Sequence, residues 1–194
     1  PLDHGVRVCD GQGNDATLDL LETLASSGLL FAGLADDEGT APERWKKLKE
    51  KLKGRLHQWP KGCTEDHVIG AVPEANLLEL LKDTEGELDG YRLRTLADRL
   101  GLQDKTTEAI DAALKASGKT WRALIIAAAT GSKDGAPANQ EKAWKKHSQQ
   151  WFKSTDGGKE LAQKMVALGA WADIQPQLLP LINAVLAAVG RQAL

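Results

Sequence analysis

Three consecutive carboxylates, Asp36, Asp37 and Glu38, follow an unbroken apolar run, Leu29–Ala35. In extended backbone, Asp36 and Glu38 project to one side and Asp37 to the other. Carboxylates at i and i+2 repel unless a cation lies between them, and oxygen-only ligands suit Mg²⁺ or Mn²⁺ rather than zinc. The same residues also read as an acidic turn introducing the next helix. A second acidic segment, Trp59–Asp66, offers Glu65 to the same neighbourhood. Thr64 there reads equally as a helix N-cap, with Glu65 and Asp66 favouring the helix dipole. The cysteines, Cys9 and Cys63, form no CxxC pair and read as buried thiols. His67 lies four residues after Cys63 without a third group to orient it, and the four histidines show no metal-ligand spacing.

The elements that must position these residues have two grammars. Up to about residue 70, short apolar runs alternate with helical patterns. His4–Cys9 reads as a strand ending in the turn-rich Asp10–Asn14. A helix capped by Asn14 or Asp15 follows, with Leu18, Leu21 and Leu24 in its stripe and Gly28 at its end. Leu29–Ala35 reads as a strand covered on both faces, Pro42–Lys53 as a basic helix and Arg55–Trp59 as a third strand. This order predicts an α/β fold with a parallel sheet, whose ligands bind beyond the carboxyl ends of the strands. From Glu74 onward the pattern is helical, with segments around Leu93–Leu100, Ala109–Ala116, Trp121–Ala129, Asn139–Trp151, Lys159–Leu168 and Pro176–Val189.

Composition narrows the class. The chain has 194 residues, 42% hydrophobic and 27% charged, too apolar for a disordered chain. Its 29 Leu and 27 Ala outnumber 13 Val plus Ile, favouring helix. The longest apolar stretch, Leu178–Val189, is interrupted by Pro180 and Asn183, so no membrane span is expected. The absence of a leader pattern and of a disulfide framework predicts a cytoplasmic location. The net charge of −2 conceals segregation: Arg44–Arg55 holds seven basic residues against Glu50. Lys142–Lys164 adds six lysines. Such patches neutralise phosphates, and Lys46, Lys47, Lys49, Lys145, Lys146 and Lys159 are the candidate DNA contacts. A solvated amphipathic helix explains the first patch as well, since Trp45, Leu48 and Leu52 mark a buried stripe. The six tryptophans read as core anchors rather than base-stacking platforms.

Gly33-Leu34-Ala35-Asp36-Asp37-Glu38-Gly39 resembles the DxD-type motif of Toprim domains in a DxE variant. Joined with the CDGQGND turn, the QWPKGCTEDHVI segment and the helical region, it is similar to the C-terminal nuclease region of the OLD (overcoming lysogenization defect) family. The closest likeness is to the class with a helicase-like partner. The resemblance implies a Toprim-like parallel sheet flanked by helices, with an all-helical insertion. The Toprim part would span 1–73, the helical domain 74–150 and the return 151–194. It also implies a metal-dependent DNA endonuclease with two Mg²⁺ or Mn²⁺ ions. ATP would enter only through a separate N-terminal ATPase domain. Asp36 and Glu38 match the family's paired acids, with Asp37 able to replace either. Glu65 matches its later acidic ligand, with Thr64 beside it, and Lys153 its catalytic lysine. The family's glutamate-bearing first strand, an EGxxE-like pattern, does not occur before His4, so the resemblance implies a chain that starts after that strand. The rival expectation is a non-catalytic helical adaptor that binds DNA or a helicase-like partner through its basic faces.

Overall fold

A computed structural model describes residues 6–192. The chain divides into two compact units, one reaching to Thr64 and resuming at Asp173, the other running Glu65–Ala172. The boundaries expected at 73/74 and 150/151 both fall inside the second unit. Val68, Ile69 and Val72 before the first, and Trp151, Phe152 and Leu161 after the second, are buried in the helical core.

In the first unit, α1 (Asn14–Ser27) buries Leu18 and Leu21 and ends at Gly28, whose φ of 74° stops the helix. Gly13 stands at its N-cap, one residue before the predicted Asn14 or Asp15. β1 (Gly33–Ala35) and β2 (Leu56–Gln58) form a parallel pair in the register Gly33↔Leu56, Leu34↔His57, Ala35↔Gln58. The crossover between them is α2 (Pro42–Leu52), which buries Trp45, Leu48 and Leu52. One core of Leu18, Leu21, Ala35, Trp45, Leu48, Leu52 and Leu56 places both helices against the same face of the sheet.

The molecule is therefore predominantly helical with a small parallel sheet, and among the described residues the sheet has two strands. Of the expected first strand, residues 6–9 are irregular, and His4 and Gly5 lie outside the described residues. The seven-residue strand expected over Leu29–Ala35 shrinks to three. Leu29 and Leu30 are 60% and 64% exposed and Leu34 is 47% exposed, so that run is not covered on both faces. Its apolar continuity joins an exposed start to a short paired strand, Gly33–Ala35.

The second unit is helical apart from one isolated antiparallel bridge, Lys82↔Leu88. It comprises α3 (Thr64–Ala71, its first residue closing the other unit), a 3₁₀ stretch Glu74–Leu81, α4 (Gly90–Leu100), α5 (Thr107–Ser117) and α6 (Trp121–Thr130). α7 (Glu141–His147) leads into a 3₁₀ turn, and α8 (Thr155–Ala167) follows. Side-chain caps write these starts into the sequence: Asp89, Thr106, Thr120 and Ser154 each accept a backbone N–H of the helix that follows. Arg122 on α6 closes the end of α3 by donating from Nη1 to the carbonyls of Ile69, Gly70 and Val72 at 2.7–2.8 Å. Buried Arg92 on α4 donates to the carbonyls of Leu80 and Lys82 and pairs with Glu160 on α8 at 2.6 Å. The last helix, α9 (Trp171–Ala188), contains Pro176 and Pro180, where the sequence suggested a start at the first of these. Neither proline can donate a backbone bond, which leaves the carbonyls of Ala172 and Pro176 without it; both residues are exposed, and water can serve them. As expected, tryptophans anchor cores: Trp45, Trp59, Trp144 and Trp151 are buried.

Candidate metal centre

Asp36 leaves the carboxyl end of β1, where ligands of parallel sheets bind. The next residue, Asp37, is held by backbone hydrogen bonds in both directions with Gly62 (2.8 and 3.1 Å), which draws the two post-strand loops together. This pairing delivers Thr64 to Asp36. The Thr64 backbone N–H and Oγ1–H both donate to Asp36 Oδ1, at 3.0 and 3.2 Å. Thr64 Oγ1 in turn accepts from Nε1 of buried Trp59 (2.9 Å), so its rotamer is fixed from two sides. The Asp36 backbone carbonyl accepts from Gln58 Nε2 at 3.2 Å. The result is a half-buried carboxylate anchored through one oxygen, while Oδ2 bonds to nothing among the described residues. Asp36 and Cys63 each present a ligand atom, a carboxylate oxygen and a thiol sulfur, within 4.8 Å of one another.

Asp37 and Glu38 have other fates. Asp37 Oδ1 accepts the backbone N–H of Gly39 (2.9 Å) and shapes the turn. Glu38 is exposed, and its carboxylate bonds to nothing among the described residues. The regular i, i+2 projection expected of Asp36 and Glu38 requires a strand that continues, and β1 ends at Ala35.

In the helical unit, Glu65 is the residue after Thr64 in the first turn of α3 and is 6% exposed. Lys153 Nζ donates to its Oε2 at 2.9 Å across 88 residues of sequence. Thus two pairs of sequence-predicted residues meet, Asp36 with Thr64 and Glu65 with Lys153, and chain connectivity links them at the Thr64–Glu65 peptide. Cys63 was set aside by sequence reasoning as a structural thiol. Its place beside Thr64 in the Cys63-Thr64-Glu65 run was the signal that could have drawn it in.

The basic candidates divide. Lys46, Lys47 and Lys49 on α2, and Lys145 and Lys146 on α7, are exposed and form no ion pair among the described residues. Lys159 is paired with Asp156 at 3.0 Å. Lys164 is structural: it donates to the carbonyls of Glu79 and Lys82, and burial pushes its pKa down.

No protein-family model matches this chain, and no similar curated protein or solved structure was found. No helix among the described residues is long and apolar enough to cross a membrane.

The donor set can be tested against the metal that the resemblance implies. The open Asp36 oxygen suits a hard cation such as Mg²⁺ or Mn²⁺. The Cys63 thiol is a softer donor that such ions do not require. Glu65 already carries the Lys153 ammonium as counter-charge. These residues fit one divalent ion at Asp36; they do not by themselves furnish the carboxylates that a second would need.

Proposed function

We propose that this chain is the Toprim-like catalytic part of a divalent-metal-dependent DNA endonuclease. The observation that carries the reading is the Asp36 carboxylate, held at the end of a parallel strand through one oxygen with the other open. A bound Mg²⁺ or Mn²⁺ would polarise a phosphodiester oxygen and acidify water. The protein's own groups supply the rest. Thr64 and Trp59 hold Asp36 in one orientation, so no reorganisation is needed when the cation arrives. Lys153, paired with Glu65 at 2.9 Å, is the lysine that the family resemblance implies would offset negative charge on the phosphoryl oxygens. The lysines of α2 and α7 attract the phosphate backbone in a salt-dependent way. DNA is accordingly the proposed substrate, and an ATPase domain and a helicase-like protein are the proposed partners.

The unpaired lysines of α2 equally favour the rival adaptor, which needs no metal. Nicking of supercoiled plasmid in Mn²⁺ or Mg²⁺ separates the two. Cleavage should vanish with chelator and fall by about a hundredfold or more in Asp36→Asn, the scale of losing an electrostatic contact in the transition state. No metal-dependent nicking by the parent chain, or equal nicking by Asp36→Asn, would overturn the nuclease. Salt-sensitive DNA binding indifferent to metal and to that substitution would then establish the adaptor.

A further inference from the structure

The seam between α1 and α2 changes character along its length. The two helices run side by side in the same direction, so successive residues of one meet successive residues of the other. At the N-terminal end, acid meets base: Arg44 bonds Asp19 at 2.5 Å and Glu22 at 2.6 Å. Beyond Glu22, α1 has no further acid, and its facing positions become Ala25 and Gly28. On α2 the bases continue. Lys47 and Lys51 follow Arg44 at helical spacing on the flank towards α1, and Arg55 lies one turn further. Lys46 and Lys49 fall on the opposite flank. None of Lys47, Lys51 or Arg55 forms an ion pair among the described residues. At this unneutralised end the seam opens into a groove of about 210 Å³, floored by Ala25, Phe31 and Leu52 and edged by Lys51 and Arg55. Leu29 and Leu30, adjacent and 60% and 64% exposed, form its lip.

We propose that this groove docks an acidic, apolar segment of a partner protein, whose carboxylates continue the acid–base seam that α1 abandons after Glu22. Charge complementarity specifies the sign: two bases lie where the upper seam places a base against two acids. The leucines specify the class. A phosphate backbone would satisfy Lys51 and Arg55 but offers no apolar surface for Leu29 and Leu30, whereas an amphipathic peptide covers both. The occupant is therefore a short segment bearing two or more leucine-like anchors flanked by Asp or Glu. This surface does not include Asp36, and it shares with the nuclease reading only the lysines of α2.

The probe is a displayed library of random peptides of about twelve residues, long enough for three helical turns. It is selected against the full chain, and the affinity of the best binder is measured by fluorescence polarisation. Enrichment of peptides combining acidic and large apolar residues is expected. Affinity should fall at least about tenfold in Lys51→Glu/Arg55→Glu and again in Leu29→Ser/Leu30→Ser. Leu29, Leu30 and Lys51 are exposed and Arg55 is half-buried, so unchanged helical circular dichroism should accompany the loss. Asp36→Asn should bind as the parent does. Failure to enrich, enrichment without acidic excess, or undiminished binding by either double variant would overturn the proposal. So would a duplex oligonucleotide that binds here with dependence on Lys51 and Arg55 and none on the leucines, which assigns the groove to phosphate.

Discussion

A single buried hydrogen bond gives the helical unit a pH dependence. Arg99 on α4 donates from Nε to His147 Nδ1 on α7 at 3.1 Å, and both side chains are buried. The bond requires His147 to be the acceptor, hence neutral, with its proton on Nε2 towards Asp98 at 4.0 Å. Burial first, and the Arg99 charge second, lower the His147 pKa from its ordinary 6.5 to about 4; Arg94 adds to this and Asp98 opposes it. Burial also lowers Arg99, to about 10, which leaves it charged at neutral pH. Between those two histidine values the unfolded chain binds a proton that the folded chain refuses. Stability is therefore complete above about pH 6.5, declines as the pH falls towards about 4, and flattens below. The contribution is roughly 3 kcal/mol. Gln at position 147 keeps an acceptor for Arg99 without titrating. Urea midpoints at about pH 7 and about pH 4.5 should show the parent losing some 2 kcal/mol more than His147→Gln. Equal losses would dismiss the argument. None of this was legible in the sequence, where the four histidines were scattered; the Arg99–His147 pair joins residues 48 apart. Thr64 was legible in type but not in role. Its N-cap and ligand-neighbour readings were both open, and its bonds to Asp36 and Trp59 assign it to orienting the carboxylate.

Helices were legible as elements because their signals are local. Thr106, Thr120 and Ser154 precede helical stripes, and Gly118 and Gly131 follow them, so the limits of α5 and α6 came close to the sequence reading. Strands were less legible, since an apolar run reads the same whether buried in a sheet or lying on a surface. Leu29–Ala35 was both: its last three residues pair with β2, and its first two are exposed. Close packing between elements leaves still less trace in sequence. Gly157, in the first turn of α8, has no unusual dihedral. Yet a Cβ there would lie 2.7 Å from the Trp151 carbonyl oxygen and 2.8 Å from Phe152 Cα. Both obstacles are backbone and cannot rotate away, so the turn must be displaced from Trp151 and Phe152, two residues of the core. Gly157→Ala should cost about 1–3 kcal/mol despite alanine's higher helix propensity. Gly158, whose Cβ would meet nothing within 4 Å, is the control: Gly158→Ala should be neutral or stabilising in the same thermal melt. Destabilisation of both variants alike would place the effect in the helix rather than in the contact.

At the scale of the whole molecule, the sequence shows two grammars in one chain and sets the change near residue 73, whereas the division into compact units falls at Thr64/Glu65. The reason is physical: α3 begins at a residue anchored to the parallel-sheet unit and then buries Val68 and Ile69 in the helical core, so no polar linker marks the change. The two cores differ in extent. Seventeen buried residues, from Val68 to Ala170, make up the helical core; seven, from Leu18 to Leu56, make up the other. Polar reinforcement follows the same division. In the helical unit, Arg92 is buried under carbonyls, Glu160 and the rings of Trp151 and Phe152, and Trp151 Nε1 bonds Thr95 within the core. In the other unit, the Arg44 cluster that joins α1 to α2 is exposed, where ion pairs contribute little. Local opening free energy tracks buried apolar contact, so the units should not open together. Native-state hydrogen exchange should find the slowest amides in α4 and α6, around Leu96 and Ile125. Those of β1, β2 and α1 should exchange faster by about tenfold or more, equivalent to at least roughly 1.4 kcal/mol. Uniform protection across both sets of amides would mean that the smaller core is stabilised by something other than its own burial. A divalent ion at Asp36 would then be the first candidate, because binding only to the folded state stabilises it. Repeating the exchange in chelator separates the two cases: ion-dependent protection must fall in β1 and at Thr64 first, and leave α4 and α6 unchanged.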